Sequence, residues 1–222
     1  ADSDTLVLVV ADGVGGLPSG SQASKILVEK ISKACINYRK DDLELRDALL
    51  SGIESANHEI IGSSSGSATT LAAVEIQNSY IRTYHVGDSA ILVVGQKGKL
   101  ILETVLHSPT GYAVESGFMS EDEALLHEDR HIVSNVIGAS DMHISMSVPV
   151  KLKKFDTLMI ATDGIIDNID KPTIIQTIRK GNLNDCLNKL LDITNERMNS
   201  GDNSYKPDDA SCILFRRSPQ DE

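Results

Sequence analysis

A chain of 222 residues, 41% hydrophobic and 24% charged, has the composition of a soluble globular protein and enough length to bury a substantial core. Its 32 acidic side chains outnumber 21 Lys and Arg for a formal net charge of −11, and Trp is absent, which argues against a nucleic-acid partner held through phosphates or base stacking. No apolar run is long enough to span a bilayer and no signal-like segment opens the chain. Cys35, Cys186 and Cys212 lack paired spacing, so the expected setting is cytoplasmic, with reduced thiols and no membrane partner.

The apolar run Leu6 to Ala11 reads as a strand ending in Asp12-Gly13. Ser19 and Ser21 offer caps for a helix with Ala23, Ile26, Leu27, Ile31 and Ala34 on one face. Leu45, Leu49, Ile53, Ala56 and Ile60 predict a second helix, with Asp42 as its cap. After a Ser-rich loop at 63–67, strands are predicted over 68–76, 80–86, 90–94 and 99–104, separated by turns at Asn78-Ser79, Gly87-Asp88 and Gln96-Lys97-Gly98. That order is an antiparallel meander, not a βαβ series.

Residues 107–136 hold Pro109, Gly111, Gly117 and a short acidic helix candidate at 121–128, and read as an irregular flap. Strands resume at 145–150 and 157–162. Asp170 and Pro172 open a helix carrying Ile174, Ile175 and Ile178, with Gly181 past its end. Leu183, Leu187, Leu190, Leu191 and Met198 mark another helix, and Ala210 to Phe215 the last strand. No linker or repeat divides the chain, so one domain over 1–222 is expected, of α+β class with helices outside antiparallel sheets.

The chemistry is expected at strand ends. Asp12, Asp163 and Asp208 each lie beside an apolar strand run, with Asp209 next to the last. Asp-Gly is a favoured hairpin dipeptide, but a Gly-rich loop and a helix follow Asp12-Gly13, and a helix follows Asp163-Gly164, so a tight hairpin does not fit either. Carboxylates that converge cannot all stay ionised unless a cation neutralises them, which points to a divalent-metal hydrolase.

Five segments then carry a resemblance: Val10-Ala11-Asp12-Gly13-Val14-Gly15-Gly16, Gly66-Ser67-Ala68-Thr69-Thr70, His85-Val86-Gly87-Asp88-Ser89-Ala90, Ala161-Thr162-Asp163-Gly164 and Pro207-Asp208-Asp209-Ala210-Ser211. In order and approximate spacing the chain resembles the metal-dependent serine/threonine protein phosphatases of type 2C, in their bacterial branch. The resemblance implies an αββα sandwich of two packed antiparallel sheets flanked by helices. It also implies a phosphorylated protein as substrate and two Mg²⁺ or Mn²⁺ ions. By matching motif, Asp12 resembles the ligand bridging both metals, the Gly13 carbonyl a second-metal ligand, and Asp163 and Asp208 further ligands of the first. These three Asp are the expected catalytic residues.

Departures from the family pattern are also expected to matter. Asp209 stands where the family usually has Asn, Val14 replaces a His of many eukaryotic members, and Leu106-His107 stands where a third-metal Asp is expected. Residues 1–11 hold no Arg or Glu, where the family normally carries a phosphate-binding Arg and an acidic second-metal ligand, so either an upstream segment supplies them or this chain binds that metal and phosphate weakly. Asp88 is read as a turn residue capping local backbone, and Ser67, Thr69 and Thr70 as structural.

Two other readings remain. His127-Glu128-Asp129-Arg130-His131 satisfies H-E-x-x-H, a zinc-peptidase pattern with His127 and His131 as ligands and Glu128 as base, although its helical context is short. A catalytically weak phosphatase-like binding module is the other. P-loop and phosphoaspartyl chemistry are excluded, because GxxxxGK[ST] is absent and position 14 of the Asp-x-Asp pattern is Val.

Overall fold

The structure is a computed structural model and describes residues 5–14, 19–38, 44–63, 66–202 and 205–217. Its elements run β1 (Thr5–Val10), α1 (Gly20–Asn37), α2 (Leu45–Gly62), β2 (Leu71–Gln77), β3 (Tyr80–Val86), β4 (Ala90–Val94), β5 (Leu100–Glu103), α3 (Pro109–Glu115) and α4 (Glu121–Leu126). A 3₁₀ turn at Glu128–His131 follows, then β6 (Ser145–Met146), β7 (Val150–Lys151), β8 (Thr157–Ala161), α5 (Asp163–Ile166), α6 (Lys171–Ile178), α7 (Leu183–Met198) and β9 (Cys212–Phe215). The chain divides into two compact units: 1–87 with 135–150, and 88–134 with 151–222.

The first unit is built on an antiparallel sheet in the order β1-β2-β3-β6. Asn78 and Ser79 both adopt positive φ, 51° and 83°, forming a two-residue turn whose twist matches the strands it joins. That turn pairs Gln77 with Tyr80 and fixes the β2–β3 register out to Leu71 with Val86. Alternation along the strands then turns Leu71, Ala73, Tyr84 and Val86 to one face, where Ala23, Leu27 and Ile31 of α1 and Leu49, Ile53 and Ala56 of α2 complete a core. The same face carries Glu75, whose carboxylate accepts a 2.5 Å hydrogen bond from the Tyr84 hydroxyl. Burial, then that bond, raises the Tyr84 pKa.

Several local expectations change here. Ser19 takes the N-cap position of α1 with φ 62° and makes no side-chain cap bond. Asp42 lies outside the described residues, and Glu44 occupies the N-cap position of α2. Regular pairing of the predicted 68–76 strand begins only at Leu71, because the Ala68–Thr70 backbone bonds to Asp12, Val14 and Ile137. The predicted 145–150 strand is two short pieces, β6 and β7.

The second unit holds an antiparallel sheet in the order β5-β4-β8-β9. Every residue of β4 and β8 is buried, which is why both read as unbroken apolar runs rather than alternating ones. Val94, Met159 and Ala161 meet Ile165, Ile169, Ile174, Ile178 and Leu190 from the helical segments. Asp170 caps α6 as expected, accepting from the Thr173 N–H at 2.8 Å. The predicted single meander is split, with β2 and β3 in one sheet and β4 and β5 in the other. The expected irregular flap is largely helical: Ser108 caps α3, and Ser120 with Glu123 forms a capping box on α4. Among the described residues no helix is long and apolar enough to cross a membrane.

Candidate metal centre

In the first unit, the backbone around Asp12 is held by the segment preceding β2. The Asp12 carbonyl accepts from Thr69 Oγ1 at 2.7 Å and from the Thr70 N–H at 2.7 Å, and the Asp12 N–H donates to Thr70 Oγ1 at 3.1 Å. Both threonines are buried, so these bonds face little competition from water. A Cβ at Gly13 would collide with the Gly20 backbone at the start of α1, so only glycine lets the chain leave β1 here. The structural role expected of Thr69 and Thr70 therefore has a definite object: they orient the strand end that carries Asp12 and the Gly13 carbonyl.

The second unit gathers a cluster of acids. Asp163 opens α5 directly after β8, and Asp208 lies four residues before β9. These two neighbours are brought together by Lys206, whose ammonium stands 2.9 Å from Asp163 Oδ2 and 2.8 Å from Asp208 Oδ2. The loop is fixed by Asn168, whose amide donates to the Gly164 and Lys206 carbonyls, both at 2.8 Å, and whose Oδ1 accepts from the Lys206 N–H at 2.9 Å. Thr162 Oγ1 accepts from the Ser211 N–H at 3.0 Å, and a Cβ at Gly164 would strike the Asp209 carbonyl.

Asp88 and Asp167 complete the cluster. Asp88 is 6% exposed, and its carboxyl is pushed up to about 7 by burial and then by the nearby Asp163 charge. Asp167 is likewise raised to about 7, by burial and then by Asp163. For Lys206, burial alone would lower the pKa, but hydrogen bonds to Asp208 and Asp163 outweigh it and raise it. A cavity of about 160 Å³ lies beside Asp88 and Asp167, walled by Leu92, Leu106, Val114 and Ile169.

The donor set fits a hard cation. Asp163 Oδ1 and Asp167 Oδ2 are buried with no hydrogen-bond partner among the described residues, and carboxylate oxygen is the ligand type Mg²⁺ and Mn²⁺ prefer. Among the described residues, no three His, Cys, Asp or Glu side chains already stand in metal-holding geometry. Lys206 meanwhile supplies positive charge to three of these carboxylates, with Asp167 at 3.9 Å.

Sequence reasoning named Asp12, Gly13, Asp163 and Asp208 but not Asp88, Asp167 or Lys206 as part of this chemistry. The turn reading of Asp88 accounts for its hydrogen bond to its own backbone, not for the acids around it. Asp167 did carry a signal, since Asp163-Gly164-Ile165-Ile166-Asp167 places two carboxylates one helical turn apart.

The zinc-peptidase reading does not survive. His127 is the extended residue that ends α4, and Glu128–His131 is a 3₁₀ turn, so the two imidazoles do not sit one α-turn apart. His127 Nδ1 instead accepts from the Asp129 N–H at 3.1 Å. Burial pushes the Cys35 thiol up to about 11 and the Cys212 thiol up to about 12, which disfavours the nucleophilic thiolate at both.

The profile of the family described as Protein phosphatase 2C matches residues 1–195. A protein phosphatase 2C-type of Streptococcus pyogenes is 32% identical over 199 residues, covering 86% of this chain and 80% of that protein. The crystal structure of serine/threonine phosphatase Stp1 from Staphylococcus aureus superposes with a TM-score of 0.81 at 21% identity, over 98% of this chain and 85% of that one. The catalytic domain of the serine/threonine protein phosphatase PstP, solved in complex with two manganese ions, gives 0.72 at 18% identity, over 94% and 86%. These two structures establish the shared α+β fold. With its strand-end carboxylates, its fold and a family match over most of its length, this chain belongs to the protein phosphatase 2C family.

Proposed function

We propose that this chain hydrolyses phosphoserine and phosphothreonine esters of proteins with water activated by Mg²⁺ or Mn²⁺. The observation that carries the reading is the buried acid cluster at the Asp163 end of β8, with two carboxylate oxygens that have no hydrogen-bond partner among the described residues, in a chain of this family. Asp12, the Gly13 carbonyl, Asp163 and Asp208 are assigned to two ions, with Asp88 and Asp167 as further carboxylates toward a cation. Bound ions supply Lewis acidity that makes water nucleophilic near neutral pH and offset charge building on the phosphoryl oxygens.

The chain's own residues prepare for that chemistry. Thr69 and Thr70 hold the Asp12 backbone, and Asn168 and Thr162 hold the 205–211 loop, so ligand positions do not have to be organised at the moment of reaction. The clustered carboxylates of Asp163, Asp167 and Asp208 disfavour an approaching phosphate unless cations are present, so turnover is tied to metal occupancy.

A phosphopeptide assay tests the assignment. Turnover should require Mn²⁺ or Mg²⁺, stop with EDTA, and fall by about 100-fold or more in Asp12→Asn and in Asp163→Asn. Metal-independent turnover, or wild-type rates in both variants, would sink it. His127→Ala/His131→Ala should retain metal-dependent turnover.

A further inference from the structure

Lys206 stands where a divalent ion would compete for the same oxygens. Its ammonium contacts Asp163 and Asp208 at hydrogen-bond distance, with Asp167 behind them. Its backbone is clamped at both N–H and carbonyl by Asn168, so the stem starts from a fixed point, while four rotatable carbons leave the head free to withdraw.

We propose that Lys206 is a tethered counter-cation that occupies the metal-free acid cluster and must be displaced for a divalent ion to bind, so that it sets the metal affinity of this chain. The inference rests on the reading that Asp163 and Asp208 hold metal. The physical reason is linkage. Carboxylates this close repel one another, and an ammonium at 2.8–2.9 Å relieves that repulsion in the metal-free protein. Whatever stability Lys206 gives the metal-free state is subtracted from the apparent affinity of the ion that replaces it. A singly charged ammonium on a flexible stem yields to a doubly charged ion more readily than a fixed Arg fork on two carboxylates would. Lys206 thereby stabilises the cluster in the metal-free protein and makes metal binding weaker than the carboxylates alone would give.

Mn²⁺ titrations by calorimetry, or by the paramagnetic resonance signal of unbound Mn²⁺, separate the outcomes. Lys206→Gln should bind Mn²⁺ about 3- to 10-fold more tightly than the unaltered chain and melt at a lower temperature without metal, while Lys206→Arg should not gain affinity. Unchanged or weaker Mn²⁺ binding by Lys206→Gln overturns the proposal. Asp163→Asn is the control: if it binds Mn²⁺ like the unaltered chain, the metal assignment itself fails and this inference falls with it. If Asp163→Asn loses affinity but Lys206→Gln does not gain it, only the role of Lys206 fails. A second measurement needs no variant. Acylation of lysines followed by mass spectrometry should show Lys206 labelled about 3-fold faster when Mn²⁺ is added, with exposed Lys97 unchanged, and no increase at Lys206 overturns displacement.

Discussion

Asp88 and Asp167 show how burial and like charge cooperate at single residues. Both carboxyls are raised to about 7, by burial first and by Asp163 second. Neutralising one permanently removes a repulsion that the metal-free protein otherwise carries once the acids ionise. Asp88→Asn should therefore raise the metal-free melting temperature at pH 8 and shrink the further rise produced by Mn²⁺, both read by thermal scanning. A lower melting temperature without metal would show that the carboxylate is stabilising there. Removing one of the hydroxyls that hold Asp12 has the opposite sign: Thr69→Val should cost about 1 kcal/mol in urea unfolding, the net value of one hydrogen bond.

Elements, in turn, act as mounts for single side chains. The Asp170 cap fixes the start of α6 and also receives Arg197 from α7 at 3.2 Å, so one carboxylate joins two helices. Asp170→Ala should destabilise the protein by about 1–2 kcal/mol in urea unfolding, with little change in Mn²⁺ affinity, because the loss is a cap and a partly exposed ion pair. The contact between α5 and the last loop is less forgiving. Gly164→Ala places a methyl group against the Asp209 carbonyl, so the loop carrying Asp208 must shift. That substitution should both destabilise the fold by about 1–3 kcal/mol and weaken Mn²⁺ binding, a pairing that the cap variant does not show.

Across the molecule, the acid cluster makes stability depend on pH and metal together. An acid whose folded-state pKa stands at about 7, against an ordinary 3.8, contributes stability that is fully present below 3.8 and is lost as pH rises through 7. The metal-free melting temperature should accordingly fall between about pH 5 and pH 8, and saturating Mn²⁺ should restore more of it at pH 8 than at pH 5. A metal-free curve that rises over that interval would contradict the arrangement of Asp88 and Asp167. Asp170 works in the reverse sense, its pKa lowered by the hydrogen bonds that outweigh burial, so its contribution is lost only in acid.

Most elements were legible because local chemistry and periodicity agreed. Apolar runs and the Asn78-Ser79 turn between them marked β2 and β3, and Asp170 with Pro172 marked the start of α6. Asp12-Gly13 and Asp163-Gly164 stood out because each carboxylate interrupts the passage from an apolar strand to a helix. The division of the strands between two sheets did not, since hydrogen-bond pairing is chosen by partners far apart in sequence. The sequence by itself determined the family, the strand-end acids and the helical faces, all properties of short segments or of their order along the chain. Only tertiary structure decided that Asp88 and Asp167 share the environment of Asp163, and that Lys206 sits upon it, because desolvation and charge proximity belong to three-dimensional distance.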